Sequence, residues 1–201
     1  MTVRFMFAII AIMTTSMGVA WNPDAAALDA MPIAGPTTQP IGHFEFCERL
    51  PGECRPRVAD RGPMKLTPET WSRLVDVNRK VNLIPAMTDM ERYGVEEYWT
   101  YPVDAADCED FVLQKRKLLM ERGFSPSNLL ITVVLQPDGS GHAVLAVRSG
   151  LGDFVLDNLR AEIRKWSETE YTYLKRQDSR DPGKWVKIND GRDTIAVGGI
   201  R

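Results

Sequence analysis

Apolar and polar positions alternate with three different rhythms along the chain. Phe5 to Met13 is an unbroken apolar run behind one basic residue, Arg4. From Thr67 the rhythm is helical: Trp71, Leu74, Val75, Asn78 and Val81 fall on one face, with Thr67 placed to cap, Pro68 suited to the first turn and Pro85 as the stop. A short helical piece fits around Glu91–Trp99 inside an otherwise irregular stretch, 86–104. A second long helix is expected from about Ala106 to Arg122, buried through Phe111, Val112, Leu118 and Leu119 and stopped by Gly123. The rhythm then shortens to that of strands. Leu129–Leu135 is rich in β-formers, Pro137-Asp138-Gly139-Ser140-Gly141 is a turn, and His142–Arg148 is the return strand. Ser149–Asp153 turns again, Phe154–Leu159 reads as a third strand, and Trp166 to Ile188 adds one or two more. Helices followed by a run of strands predict an α+β fold, an antiparallel sheet packed on the Ala106–Arg122 helix.

The flanks are simpler. A basic start, a short apolar core and small residues at Gly18/Ala20 and Ala25/Ala27 read as a secretory signal peptide over residues 1–27, cleaved after Ala27 or Ala20. An uncleaved anchor is the alternative, but Phe5–Trp21 is interrupted and short of the ~20 residues that span a bilayer. The mature form is therefore expected not to span a membrane. Residues 28–43 hold three prolines and two glycines without periodicity and read as a linker or extended arm. The domain is expected over 44–188, and 189–201 as a frayed tail.

Composition narrows the classes. The chain has 201 residues, 44% hydrophobic and 26% charged, with a net charge of −2. Those are globular values and not those of a general nucleic-acid coat, so no nucleic-acid partner is expected. Three cysteines and two histidines leave few routes to a zinc site, and the common phosphate-cradling loops are missing. Export makes thiols pair. In FCERLPGEC, Pro51-Gly52 supplies a turn that brings Cys47 to Cys54, which predicts a disulfide and leaves Cys108 over.

Cys108 stands in DAADCEDF, at a helix start, where the helix field favours a thiolate and the Cys108 N–H would face an oxyanion. His142, opening a strand, is the candidate base, since His43 lies beside the arm. Asp157, in VLDN on the next strand, is the candidate orienting carboxylate. A two-residue turn at Ser149-Gly150 sets His142 directly opposite Asp157; a turn centred on Leu151 sets it opposite residue 160. Each residue alone has a plainer reading, as a buried thiol, a polar turn residue and a turn-forming aspartate. Together they form a coherent Cys-His-Asp order on helix, strand and strand. Trp99, in YWTYP just before the cysteine, is a candidate wall of a substrate cleft. Asp107 reads as a helix cap, with Glu109 and Asp110 as negative charge favoured at the positive helix end.

These stretches, with WSRLVDVNRKVN, DCEDFVLQKRKLL, LLITVVLQ, GHAVLAVRS, GDFVLDNL, W-x-E-x-x-Y and KRQ-x-x-x-DPGKWVKI, resemble the bacterial transglutaminase-like cysteine proteinases over about residues 44–188. The FCERLPGEC piece and the KRQ ending are similar to a short exported branch of that family. The resemblance implies a papain-like or transglutaminase-like core with Cys108 as nucleophile, His142 as base and Asp157 as its orienting carboxylate. It implies hydrolysis of a protein substrate through a thioester, with a cell-surface adhesin as the expected class, in the periplasm or outside a Gram-negative cell. It also implies Ca²⁺ held by Asp107 and Glu109, no organic cofactor, and an inner-membrane receptor as regulator. A transglutaminase-type acyl transfer shares the first half-reaction and stays open, as does a binding module that kept the fold.

Overall fold

The computed structural model describes residues 29–56 and 59–191. The signal-peptide reading, 1–27, and most of the tail, 192–201, lie outside the described residues. In chain order the elements are β1 (Ile33–Thr37), α1 (Ile41–Arg49), α2 (Pro68–Val81), α3 (Asp89–Tyr93), α4 (Cys108–Glu121), β2 (Leu129–Leu135), β3 (Gly141–Ser149), β4 (Gly152–Leu156), β5 (Arg164–Lys165), β6 (Thr172–Gln177) and β7 (Trp185–Ile188). The expected α+β architecture is present. Seven strands form one sheet in the order β1-β7-β6-β2-β3-β4-β5, and each neighbouring pair is antiparallel.

The long helices start where the sequence places caps. Thr67 and Thr70 form a reciprocal capping box on α2, which satisfies two otherwise orphaned N–H groups. Asp107 caps α4, which begins at Cys108, two residues later than expected. Its last turn closes on Gly123, whose φ of +87° only glycine adopts without strain. Strict alternation along the central strands sends Leu129, Ile131, Ala143, Leu145 and Val147 into a core shared with α2 and α4. It sends Leu130, Val134, Val144, Ala146 and Val155 into a second core with Trp166, Tyr171 and Tyr173. Both faces of the sheet are therefore covered.

Three expectations need correction. The stretch read as a linker or extended arm is no free segment: its described residues, 29–43, belong to the fold. They are extended over 33–37, but as edge strand β1 on β7, and Met31 N–H and the Asp153 N–H tie residues 29–31 to the sheet. The prolines and glycines suit an edge, where half the backbone groups need no ladder partner. Next, α1 was not anticipated, and it carries His43 into the core, 1% exposed, not beside an arm. Burial and the nearby Arg116 charge push His43 down to about 3, so it stays neutral. Last, the third strand stops at Leu156 and the short helix sits at Asp89–Tyr93.

Cys47, on α1, is bonded to Cys54, which follows a 3-10 turn at Pro51–Glu53; the Cα atoms are 5.6 Å apart. The bridge closes this corner against the His43 ring, whose Nδ1 lies 3.6 Å from Cys47 Sγ. Replacing both cysteines with serine should lower unfolding free energy in urea by about 2–3 kcal/mol. An unchanged midpoint would show that the bridge adds nothing to stability.

Candidate active site

Cys108 is the first residue of α4, and the groups around it are mostly acidic. Asp107 Oδ1 accepts the Cys108 N–H at 2.7 Å, and its Oδ2 accepts the Asp89 N–H at 3.1 Å, joining α3 to α4. The thiol donates to Glu109 Oε2 at 3.1 Å, and the Ala143 N–H donates to the sulfur. Burial pushes the Cys108 thiol well above its ordinary value, and the Glu109 charge and hydrogen bond push it further. The sequence led to a thiolate here, and an oxyanion facing the Cys108 N–H. In this arrangement neither holds: burial, with the Glu109 and Asp107 charges, raises the thiol, and the N–H is taken by its own cap.

His142 and Asp157 do come together, by a register that neither alternative foresaw. The pairs run from Leu145↔Leu156 to Ser149↔Gly152, so the loop is Gly150-Leu151. Continued past its last pair, that register sets Asp157 opposite Val144, diagonal to His142 and on the same side of the sheet. A diagonal is within reach of long side chains, and His142 Nε2 lies 2.9 Å from Asp157 Oδ1. Both side chains are 3% exposed. Tyr171 O–H donates to Asp157 Oδ2 at 2.6 Å, and the Leu159 N–H to Oδ1 at 3.0 Å. Burial alone would raise Asp157, but the His142 contact, the tyrosine and the amide outweigh it and hold the carboxyl below its usual range. The Asp157 carbonyl accepts Asn82 Nδ2 at 2.8 Å, so α2 fixes the turn that carries the carboxylate.

The two halves approach from different sides. Cys108 arrives on α4. His142 alternates with Val144 and Ala146 of the other core, and its ring stands 5.7 Å from Tyr171. They meet at the start of β3, beyond the last pair that β4 makes with it. A cleft of about 460 Å³ lies there, lined by Cys108, Glu109, His142, Ala143, Trp99 and Lys175 among others. Among the described residues no hydrogen bond joins the sulfur to the imidazole, because the thiol turns to Glu109. With Nε2 committed to Asp157, Nδ1 is the ring edge left for the sulfur.

Trp99 lines this cleft, as expected, but is 1% exposed and gives its indole N–H to Glu97 Oε2 at 3.0 Å. Gly42 of α1 packs so tightly on it that an added Cβ would stand 2.4 Å from the ring. Glu97 itself is held at φ 58°. Burial raises Glu109 to about 7 and Asp110 to about 7. One Asp110 oxygen takes the Thr100 N–H, while the other is buried without a hydrogen-bond partner. Asp107, Cys108 and Glu109 each offer a ligand atom within 4.8 Å of the others.

Sequence reasoning missed Tyr171, Asn82, Glu97 and Asp89. Tyr171 and Asn82 carried a signal, as the last residues of W-x-E-x-x-Y and WSRLVDVNRKVN; Glu97 and Asp89 are brought in by packing between distant elements.

Comparison with known proteins gives the family. A family model described as bacterial transglutaminase-like cysteine proteinase matches residues 33–193. The chain belongs to that family. A search of the curated proteins returns no match. Among solved structures, LapG of Legionella pneumophila is 26% identical, with a TM-score of 0.51 over 61% of this chain and 71% of that one. Its calcium-bound form is 25% identical, with a TM-score of 0.52 over 67% and 77%. The EGTA-treated form is 25% identical, with a TM-score of 0.51 over 67% and 76%.

Glu109 and Asp110 titrate near 4 when unfolded and about 7 in the fold. The folded state therefore binds more protons between those values, and stability present below about 4 is lost as pH rises through about 7. In EGTA, Tm should be lower at pH 8 than at pH 5.5, and Glu109→Gln should shrink the difference. A Tm that rises across this range would remove the buried-carboxylate account.

Proposed function

We propose that this transglutaminase-like cysteine proteinase is an exported endopeptidase that hydrolyses a protein substrate through Cys108, His142 and Asp157. The observation that carries the reading is the His142–Asp157 hydrogen bond, 2.9 Å long and buried, at the rim of the cleft that also holds Cys108. The thiol rotates from Glu109 to His142 Nδ1 and passes its proton there. Asp157, held ionised by its partners, stabilises the imidazolium. The sulfur adds to the peptide carbonyl, His142 returns the proton to the leaving amine, and a thioester remains. Water, deprotonated by the same ring edge, then releases the acid.

The residues around the sulfur fit a hard divalent cation: two carboxylates beside the thiol, carboxyls that burial keeps undercharged, and an unpartnered Asp110 oxygen. Asp107 and Glu109 would hold Ca²⁺, as the calcium-bound LapG suggests. Its charge would offset these acids and favour a thiolate. Asp110, backbone carbonyls and water would complete a coordination that two carboxylates leave short. A cell-surface adhesin is the substrate class the family resemblance favours, with an inner-membrane receptor as regulator and the periplasm or cell exterior as the compartment. No described helix is long and apolar enough to cross a membrane.

The test is alkylation of Cys108 by iodoacetamide at pH 7. It should be at least ~10-fold faster in Ca²⁺ than in EGTA, and His142→Ala should slow it. Equal rates in both buffers and in the variant would overturn the reading. With casein as probe, Cys108→Ala should lose at least ~10³-fold in cleavage rate. Incorporation of a primary amine into casein, without cleavage, would replace hydrolysis by acyl transfer.

A further inference from the structure

Where the cleft runs out along the sheet stand two lysines that packing does not explain. Residues paired across neighbouring strands share a face. On the helix side of the sheet one such row runs Ala143, Val133, Lys175, Lys187, from β3 through β2 and β6 to β7. It starts at the nucleophile, because the Ala143 N–H donates to the Cys108 sulfur, and Lys175 still lines the cleft. It ends beside Gly35 of edge strand β1, where an added Cβ would meet nothing within 4 Å.

Lys175 faces the cleft because β6 is irregular. Tyr173 pairs with Val134 and Lys175 with Val133, so Leu174 is an extra residue on that strand. Tyr173 belongs to the back-face core. Plain alternation would put Lys175 on that face too; the bulge turns it to the cleft side, a use that bulges have beside active sites. Lys187 reaches the same side by ordinary alternation from Trp185 of the helix-side core. Two like charges thus stand directly opposite one another, which destabilises a strand pair. Among the described residues neither lysine is ion-paired with a carboxylate, and Lys175 Nζ donates to the Thr38 carbonyl at 3.0 Å. Glu97, on the wall of the same cleft, acts on Lys175 by its charge without an ion pair.

We propose that Lys175, with Lys187 behind it, forms an anion-binding subsite that takes an acidic side chain of the peptide being cut. This rests on the hydrolytic reading of the cleft. Ala143 and Lys175 are two strand spacings apart, about 10 Å, which an extended peptide covers in about three residues. The subsite therefore reads a residue about three positions from the scissile bond.

The probes are iodoacetyl-Ala-Ala-Asp amide and its Asn counterpart, which alkylate Cys108, the free cysteine, without turnover. At pH 7, in Ca²⁺ and low salt, the Asp-to-Asn rate ratio should fall at least ~3-fold in Lys175→Met, about 2-fold in Lys187→Met, and further still in Lys175→Glu. Arg79→Met, which removes an exposed cation on α2, should leave the ratio unchanged, and iodoacetamide should react with every variant at the native rate. The native ratio in both lysine variants overturns the proposal. So does an equal fall in Arg79→Met, which reports net charge alone, or a matching change in the iodoacetamide rate, which puts the effect on the sulfur itself. A lower Tm in Lys175→Met with the native ratio also overturns it and leaves the lysine a tether for Thr38. A fall in one lysine variant alone ends the pair. If the native chain leaves casein whole while the ratios move as stated, hydrolysis fails and the subsite stands. If Cys108-dependent cleavage of casein proceeds and the ratios do not move, the subsite fails and hydrolysis stands.

Discussion

The hydrogen bond between His142 and Asp157 spans the point where β3 and β4 part, and the organisation of the site follows from it. Backbone pairing no longer holds the two strands together there, so side chains must do it. Asp157 is fixed from four directions: the imidazole, the Tyr171 hydroxyl, the Leu159 amide and, through its carbonyl, Asn82 of α2. Each partner comes from a different element. The carboxylate is thus a junction of the back-face core, the turn after β4 and the helical layer.

The opposite problem exists across the cleft. There the chain gathers negative charge and buries it, with Asp89, Asp107, Glu109 and Asp110 around one helix end. Burial raises Asp89, Glu109 and Asp110, and the thiol rises with them. In one half of the site the donors outweigh burial and keep the acid ionised; in the other, burial outweighs the donors that Asp89, Glu109 and Asp110 have.

Much of this was legible in the residues. Leu129–Leu135 has the bounds read from its β-rich run, and α2 starts at Pro68 behind the Thr67 cap, because period, cap and stop are local properties. Cys108 and His142 stood out because the chain has three cysteines and two histidines; Asp157, one aspartate among many, stood out only through its place on the strand after His142 and the family resemblance. The register that brings His142 to Asp157 was not legible, since a two-residue loop at Gly150-Leu151 and one at Ser149-Gly150 look alike in a Gly-rich turn. Strand β1 was hidden by its prolines, which an edge tolerates. The turn of the thiol toward Glu109 depends on burial, which no local pattern reports. Lys115 and Arg116 are buried while the next residue, Lys117, is exposed, a division that three consecutive basic residues do not announce.

The pairing of β1 with β7 has a consequence for the order in which the chain can be completed. Ile33 meets Ile188, so the earliest strand to be synthesised docks on the latest. A growing chain cannot zip this border shut until nearly all of it has left the ribosome.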